Sequence, residues 1–398
     1  MKKLAQKLMK ILESNRINII ILIIIILNIY YYDPNIKYAE ELDIPSGIGY
    51  DFQTKIDNIR YYQIPISAYI FNPNGTSTST VHEGKGETLL KTRQYRQRKS
   101  NRKFLLGNEK VYLISEKSAY DGVNEIINLL FFNPLANSRA FTVVCAGNPK
   151  DMLNHKIQGY ASSADYIYGL IQNSPQYNFF PVKAYTTSIN YYQLKAEGKS
   201  LVLPYIEATK NGIEITGMAI FKGDKMEKKI DVDDMQVLNR LREDKTKGII
   251  SVIKSYNQFA EMDCYIKRKV ECYKEKDKYK FVIKLDIKGD MINCRSCKNE
   301  LCTQEGKDGV VKEFEEKIYK ESYEFINKMQ NEYKIDLLNL GSVAAAEYGR
   351  HTGVNWDDVV SNSEIELDIN MRLIRGARGT FKLISFNDKA KYYLVSLN

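Results

Sequence analysis

The sequence predicts a multidomain α+β protein. It has an α/β N-terminal domain, a small domain of β-meander plus helix, and a C-terminal domain of antiparallel sheet covered by long helices, preceded by one N-terminal membrane helix. Three observations carry that expectation. Strand-like and helix-like patterns alternate through the first half, the order that builds a covered sheet. Two later segments alternate apolar and polar side chains with period two, as half-buried strands do. One run near the start, Ile17 to Tyr32, is almost wholly apolar.

That run follows Lys2, Lys3, Lys7, Lys10 and Arg16 and closes on Tyr30, Tyr31 and Tyr32. Cations stay on the cytoplasmic side and aromatic rings settle at the interface. Residues 1–16 therefore read as a basic cytoplasmic head, 17–32 as a signal anchor, and the rest as a body outside the cytoplasm. The anchor residues are Ile17, Ile20, Ile24, Leu27, Tyr30 and Tyr31. A cleaved secretory signal has the same front, and a buried core helix is the bland alternative. No small-x-small cleavage site follows Tyr32, and nothing amphipathic interrupts the run. As a helix it spans roughly 24 Å at ~1.5 Å per residue, short of a ~30 Å hydrocarbon core, with Leu12 and the tyrosines to extend it.

Residues 37–200 form the first domain. Arg60 to Phe71 reads as a strand, and Asn72 to Thr80 as a turn-rich loop. Glu87 to Lys103 reads as a helix and Lys110 to Ser115 as a strand. Ser118 to Phe132 is a second helix that Asn133-Pro134 stops. Arg139 to Ala146 is a strand covered on both faces, and Ser162 to Gln172 a further helix. Residues 201–243 form the small second domain: strands Leu203 to Ala208, Gly212 to Lys222 and Lys225 to Ile230, then a helix capped by Asp233.

Residues 244–398 form the third domain. Tyr279, Phe281, Ile283, Leu285 and Ile287 share one face of a strand, and Ile365, Leu367, Ile369, Met371 and Leu373 one face of another. One covered face implies an antiparallel sheet. Between them Val311, Phe314, Ile318, Phe325 and Met329 form a helical stripe suited to cover it.

The segment Lys334 to Phe381 resembles the C-terminal signature of the Ger(x)C family, the C subunit of nutrient-germinant receptors in endospore-forming bacteria. The matching positions include Ile335-Asp336, Gly341, Trp356, the strand ending at Arg372, and Arg375-Gly376. Gly47 to Asp51, Gly84 to Thr88, Lys110 to Ser115 with Ser118 to Gly122, Asn148 to Leu153 and Gly217 to Lys225 resemble that family in the same order. The resemblance implies a membrane-anchored, non-enzymatic subunit in the inner spore membrane, with its body on the exterior face. Its implied partners are an A subunit and a transporter-like B subunit, and its implied role is assembly or signal relay. Members of that family normally carry a lipid on a Cys that closes the signal, whereas here the first Cys is Cys145. Either the uncleaved helix replaces the lipid or the true start differs.

Three further features remain. Cys145 reads as a buried small hydrophobe. Cys272, Cys294, Cys297 and Cys302 could bind zinc through four thiolates, or could be disulfides or free thiols outside the cytoplasm. The basic stretch Arg93, Arg96, Arg98, Lys99, Arg102 and Lys103 is either a solvated helix face or a contact for anionic headgroups or an acidic partner. Trp356 reads as a core anchor or a stacking platform. The net charge of +9 is modest for the length and makes no case for nucleic acid. No cofactor is expected. His82, His155 and His351 stand in unrelated contexts, and no phosphate loop or H-E-x-x-H motif occurs. The rival expectations are an extracytoplasmic solute- or cell-wall-binding protein, which needs a deep cleft, and a wall-modifying enzyme, which needs a carboxylate pair or metal centre.

Overall fold

The computed structural model describes residues 18–31, 41–56, 59–72, 74–176, 178–210, 212–276, 278–295 and 303–375. The basic head 1–16, Ile17, Cys297, Cys302 and Gly376 lie outside the described residues. Helix α1, residues 18–31, is exposed along its whole length. It measures about 21 Å at ~1.5 Å per residue. Among the described residues no helix is long and apolar enough to cross a membrane, so the membrane span expected over 17–32 is not supported.

The body is built on two sheets. The larger has eight strands, in the order β10-β9-β8-β7-β6-β2-β3-β4. Strands β2 (Pro45–Ile56), β3 (Ile59–Phe71) and β4 (Ser77–Gly86) pair antiparallel. Strands β6 (Val111–Ser115) and β7 (Phe141–Cys145) join β2 in parallel. Every residue of β6 and β7 is buried, because helices cover both faces. One face packs against α2 (Leu89–Gln97), α3 (Glu116–Asp121), α4 (Asn124–Phe132) and α7 (Thr187–Lys195); α5 (Pro149–Asn154) and α6 (Ser163–Asn173) cover the other. Two short strands, β1 (Leu42–Asp43) and β5 (Lys103–Phe104), form a separate parallel pair.

The structure departs from the sequence expectation in several places here. The helix expected over Ser118 to Phe132 is two helices, α3 and α4, parted at Gly122-Val123, where Gly122 takes φ +125°; the helix expected to be capped by Asp233 is capped by Asp231. Ser77 to Thr80, expected as loop, starts the edge strand β4; its side chains face solvent enough that no apolar alternation marks it. The helix expected over Glu87 to Lys103 is confined to α2, capped by the Thr88 side chain. The strands expected as a self-standing meander, β8 (Val202–Thr209), β9 (Gly212–Lys222) and β10 (Lys225–Ile230), extend the first sheet instead. β8 pairs in parallel with β7 through Val144↔Tyr205 and Cys145↔Ile206. A strand as apolar as β7 needs a neighbour on both edges, and β8 supplies the second.

The smaller sheet has the order β11-β12-β13-β14, from β11 (Thr246–Ser255), β12 (Gln258–Glu275), β13 (Lys278–Cys294) and β14 (Glu364–Arg375). The first three pair antiparallel, but β14 runs parallel to β13, with Phe281↔Ile365 through Ile287↔Met371 in register. The all-antiparallel expectation fails because three helices, α9 (Gln304–Asn327), α10 (Leu340–Tyr348) and α11 (Trp356–Ser361), separate the two strands. A crossover of that length returns the chain in the same direction. The stripe Phe314, Ile318 and Phe325 on α9 packs on Phe281, Ile283, Leu285 and Ile287 as the periodicity requires. Helix α8 (Val232–Arg242) lies against the same core, which runs unbroken from the α5–α6 face of the large sheet to the small one.

Phe314 is fully buried and Tyr256 is 84 % exposed. Phe314→Ala is expected to lower the unfolding free energy by about 3–5 kcal/mol, and Tyr256→Ala by no more than ~0.5 kcal/mol. Urea midpoints of the full chain in detergent measure both, and equal shifts would contradict the packing described.

Candidate functional site

Three of the resemblance residues, Asp336, Gly341 and Trp356, converge on one buried loop. Lys334 takes a left-handed conformation (φ 53°) that ends the long helix after a π-helical last turn, Lys328–Tyr333. Asn339 takes another (φ 56°) directly before α10. Between them the Asp336 carboxylate accepts the backbone N–H groups of Leu340 (3.0 Å) and Gly341 (2.7 Å). A carboxylate there satisfies two orphan donors and meets the positive end of the helix dipole. The Asp336 N–H in turn donates to Asp357 Oδ1 at 2.8 Å. Gly341 is required by contact: a Cβ there would stand 2.5 Å from Trp356 Cβ.

Segments far away in sequence close on this loop. Gly198, at φ +68°, lies so near that its Cβ would sit 2.2 Å from the Gly341 carbonyl carbon. The Trp356 indole N–H donates to Glu197 Oε1 (3.0 Å), and Glu197 Oε2 accepts from the His351 backbone N–H (2.8 Å). Ser200 Oγ donates to the Asp336 carbonyl (2.8 Å), while Ser200 N–H donates to Asn339 Oδ1 (3.2 Å). Arg242, buried at the end of α8, donates from Nη1 to Leu337 O (2.7 Å) and from Nη2 to Ser200 O (2.6 Å). Arg268 Nη2 donates to Leu338 O at 2.8 Å. Trp356 is thus held in the core by its ring, which meets Tyr279 edge-on at 5.6 Å, and by its N–H.

Asp336, Gly341 and Trp356 therefore act together. Arg372 and Arg375 stand apart on the exposed face of β14, 3.8 Å from Asp286 and 3.6 Å from Asp290 respectively. The sequence reading missed Glu197, Gly198, Ser200, Arg242 and Arg268. None lies in a periodic pattern, and a last-turn arginine such as Arg242 looks the same whether it is solvated or buried.

The basic stretch divides. Arg96 is buried: its guanidinium lies 4.9 Å from the Phe104 ring centre, and Nη1 reaches the Ile64 carbonyl at 3.4 Å. Burial pulls its pKa down to about 10, so it belongs to the core and not to an interaction face. Arg93 and Arg102 are half-buried, with Arg102 3.9 Å from Asp43. Arg98, Lys99 and Lys103 are exposed. Lys99 Nζ donates to the Tyr95 hydroxyl at 2.8 Å. Of the anchor residues that are described, Ile20, Ile24, Leu27, Tyr30 and Tyr31 are all exposed on α1.

The thiolate cluster does not assemble. Cys272 pairs opposite Phe281, whereas Cys294 pairs opposite Ala260, at the other end of the same hairpin. Ala260 to Cys272 spans about 40 Å at ~3.3 Å per residue, so one ion cannot join Cys272 to Cys294. Cys294 is disulfide-bonded, while Cys145, Cys264 and Cys272 are free and buried. Burial pushes the Cys272 thiol up to about 11.

This geometry, two sheets joined through a capped loop, defines a two-sheet α+β body. Residues 35–208 match the spore germination protein N-terminal domain, and residues 216–376 match the spore germination B3/GerAC-like C-terminal domain. The chain belongs to the Ger(x)C family of spore germination proteins. It is 23% identical over 212 residues to the spore germination protein GerQC of Bacillus cereus, covering 53% of this chain and 57% of that one. The chain thus spans little more than half the length of the curated relative it matches. Its fold is similar to the crystal structure of the GerBC protein, with a TM-score of 0.54 at 15% identity over 82% of this chain and 97% of that one.

Burial raises the Asp336 carboxyl to about 6 from 3.8, against the pull of its two backbone hydrogen bonds. The folded state then holds this proton more tightly than the unfolded chain between those values. Stability from this group is greatest below about pH 4, falls as pH rises toward 6, and is flat above. The loss is of the order of 2–3 kcal/mol. Asp336→Asn should remove that slope, and should also cost about 1–3 kcal/mol at neutral pH because its amide donor faces one of the two N–H groups. Denaturant titrations from pH 4 to 7 read both effects; an unchanged slope in the variant would assign the pH dependence elsewhere.

Proposed function

We propose that this chain is the C subunit of a spore nutrient-germinant receptor, a non-enzymatic body that serves assembly or signal relay. One observation carries the reading: both germination domains lie in order on one chain, over 35–208 and 216–376. The junction around Asp336 supports it. Arg242 and Ser200 tie the N-terminal sheet to the C-terminal helices through buried hydrogen bonds, and the core is shared between the sheets. A load or contact applied to one domain is therefore passed to the other.

On this reading the partners are the receptor's A subunit and its transporter-like B subunit. The apolar helix α1 keeps the protein at the inner spore membrane, with the body on the exterior face. Its ring of exposed Ile and Leu side chains has no polar face, and such a helix partitions out of water. Arg98, Lys99 and Lys103 are the cations left available to anionic headgroups or to an acidic partner face, each contributing ~1 kcal/mol near a charged surface.

Full-length protein captured from detergent-solubilised spore membranes should bring down two multi-spanning proteins. Spores lacking the chain should form normally yet fail to respond to particular nutrients. Wild-type germination rates with every nutrient tested would refute the assignment.

A further inference from the structure

The loop after β5 and the loop after α4 form one outward surface. Asn137 Nδ2 donates to Glu109 O (2.7 Å), and Glu109 Oε2 accepts from the N–H groups of Gly107 (2.9 Å) and Asn137 (3.2 Å). A Cβ on Gly107 would stand 3.4 Å from Leu135 O. Three large apolar side chains stand out along this seam: Leu105 is 42 % exposed, Leu135 62 % and Phe132 67 %. Phe131, beside Phe132, stacks on Tyr191 at 3.8 Å and fixes the end of α4. Large apolar side chains exposed together mark a contact surface.

The charge of the same surface has one sign. Residues 98–108 and 131–139 hold Arg98, Lys99, Arg102, Lys103 and Arg139 and no carboxylate. The carboxylates bonded to these segments, Asp43 through Ser100 and Glu109 through Gly107, are both buried. Arg102 lies 3.9 Å from Asp43, whereas Arg98, Lys99, Lys103 and Arg139 pair with no carboxylate among the described residues. Glu41 is the exposed acid beside β1. Such cations repel one another on the free body and gain from an anionic surface.

The attachment of α1 says which anionic surface. The chain enters the body at β1, which pairs with β5 through Leu42↔Lys103 and Asp43↔Phe104, and the Leu105 N–H donates to Asp43 O at 2.9 Å. The point of entry therefore lies within the basic, apolar-studded surface. Residues 32–40 join α1 to Glu41 and reach roughly 36 Å at most, at ~3.6 Å per residue. A bilayer that takes up α1 is thus always within reach of this face.

We propose that this surface lies on the anionic leaflet of a lipid bilayer. Leu105, Phe132 and Leu135 enter the headgroup region, and Arg98, Lys99, Lys103 and Arg139 meet the lipid phosphates. This docking deepens the reading that α1 holds the chain at a membrane, and it gives the body an orientation. The face of the large sheet covered by α2 and α4 turns to the bilayer, and the small sheet, packed against the other face, turns away.

Full chain on phosphatidylcholine vesicles, with or without phosphatidylglycerol, tests it, with bromines on the lipid tails as short-range quenchers of tryptophan. Trp356 is buried and supplies a constant background. On anionic vesicles Leu135→Trp and Phe132→Trp should lose roughly half of their added emission, as side chains set into the headgroup boundary do. Tyr256→Trp, on the small sheet, should lose none. Arg98→Gln, Lys99→Gln and Lys103→Gln combined should lower the ratio of docked to undocked body roughly a hundredfold and abolish the quench, as should high salt. Flotation with neutral vesicles should not change, since α1 carries it. The docking is overturned if neither tryptophan is quenched on anionic vesicles that carry the chain, if neutral vesicles quench both equally, or if Tyr256→Trp is quenched as strongly. A surface made for an acidic protein face gives the first of these results. A chain that floats with anionic vesicles alone, its quench intact, keeps the docking and loses the α1 reading; a chain that floats with neither overturns both. Should a tryptophan variant fail to fold, hydrogen exchange of the native chain replaces it. Amides of 101–108 and 133–139 should exchange more slowly on anionic than on neutral vesicles, and equal rates overturn the docking.

Discussion

Arg242 joins two carbonyls that lie far apart in the chain, Ser200 O at 2.6 Å and Leu337 O at 2.7 Å. The rest of the body depends on that constraint. A guanidinium withdrawn from water is costly unless its donors are taken up. Here the Arg242 Nε meets Glu243 at 3.2 Å, and both terminal nitrogens meet backbone acceptors. Charged hydrogen bonds of this kind contribute about 1.5–3 kcal/mol each. Their geometry also fixes where the loop 335–339 can sit, and from there Asp336 can cap α10. Gly341 then packs so close to Trp356 that a Cβ added to it would stand 2.5 Å from the Trp356 Cβ.

Helix α8 connects this junction to both sheets. Its Asp231 side chain caps the start by accepting from the Asp234 N–H at 2.9 Å. Farther along, Arg240 is buried, reaches Glu321 on α9 at 2.7 Å and lies 5.6 Å from the Phe179 ring centre. Asp234 takes Lys328 at 2.9 Å. One short helix therefore docks on the large sheet, the covering helix of the small sheet and the Asp336 loop together. This accounts for a core with no seam between the sheets.

The surfaces that face outward are simpler. Helix α1 shows apolar side chains around its whole circumference, and the exposed members of the basic stretch, Arg98, Lys99 and Lys103, sit on a body that closes on itself. Among the described residues no three or more metal-binding side chains come together.

The sequence by itself determined the strand of Phe281 to Ile287, its partner from Ile365 to Met371, the α9 stripe that covers them, the buried β7 strand and the family. These are local signals: period two, period 3.6 and unbroken apolar runs follow directly from which face of an element meets the core. It also marked Asp336, Gly341 and Trp356 without saying what they do. Tertiary structure alone decided that β14 runs parallel to β13, that β8 to β10 extend the first sheet, and that Arg96 is buried while Arg98 is not. It likewise decided that Cys272 and Cys294 stand at opposite ends of a hairpin, that Glu197 meets Trp356, and that Ser200 meets Asp336. Strand direction depends on the path of the connecting chain. The burial of a cation, and the meeting of groups more than a hundred residues apart, depend on which surfaces finally close on one another, and no local pattern of residues carries that information.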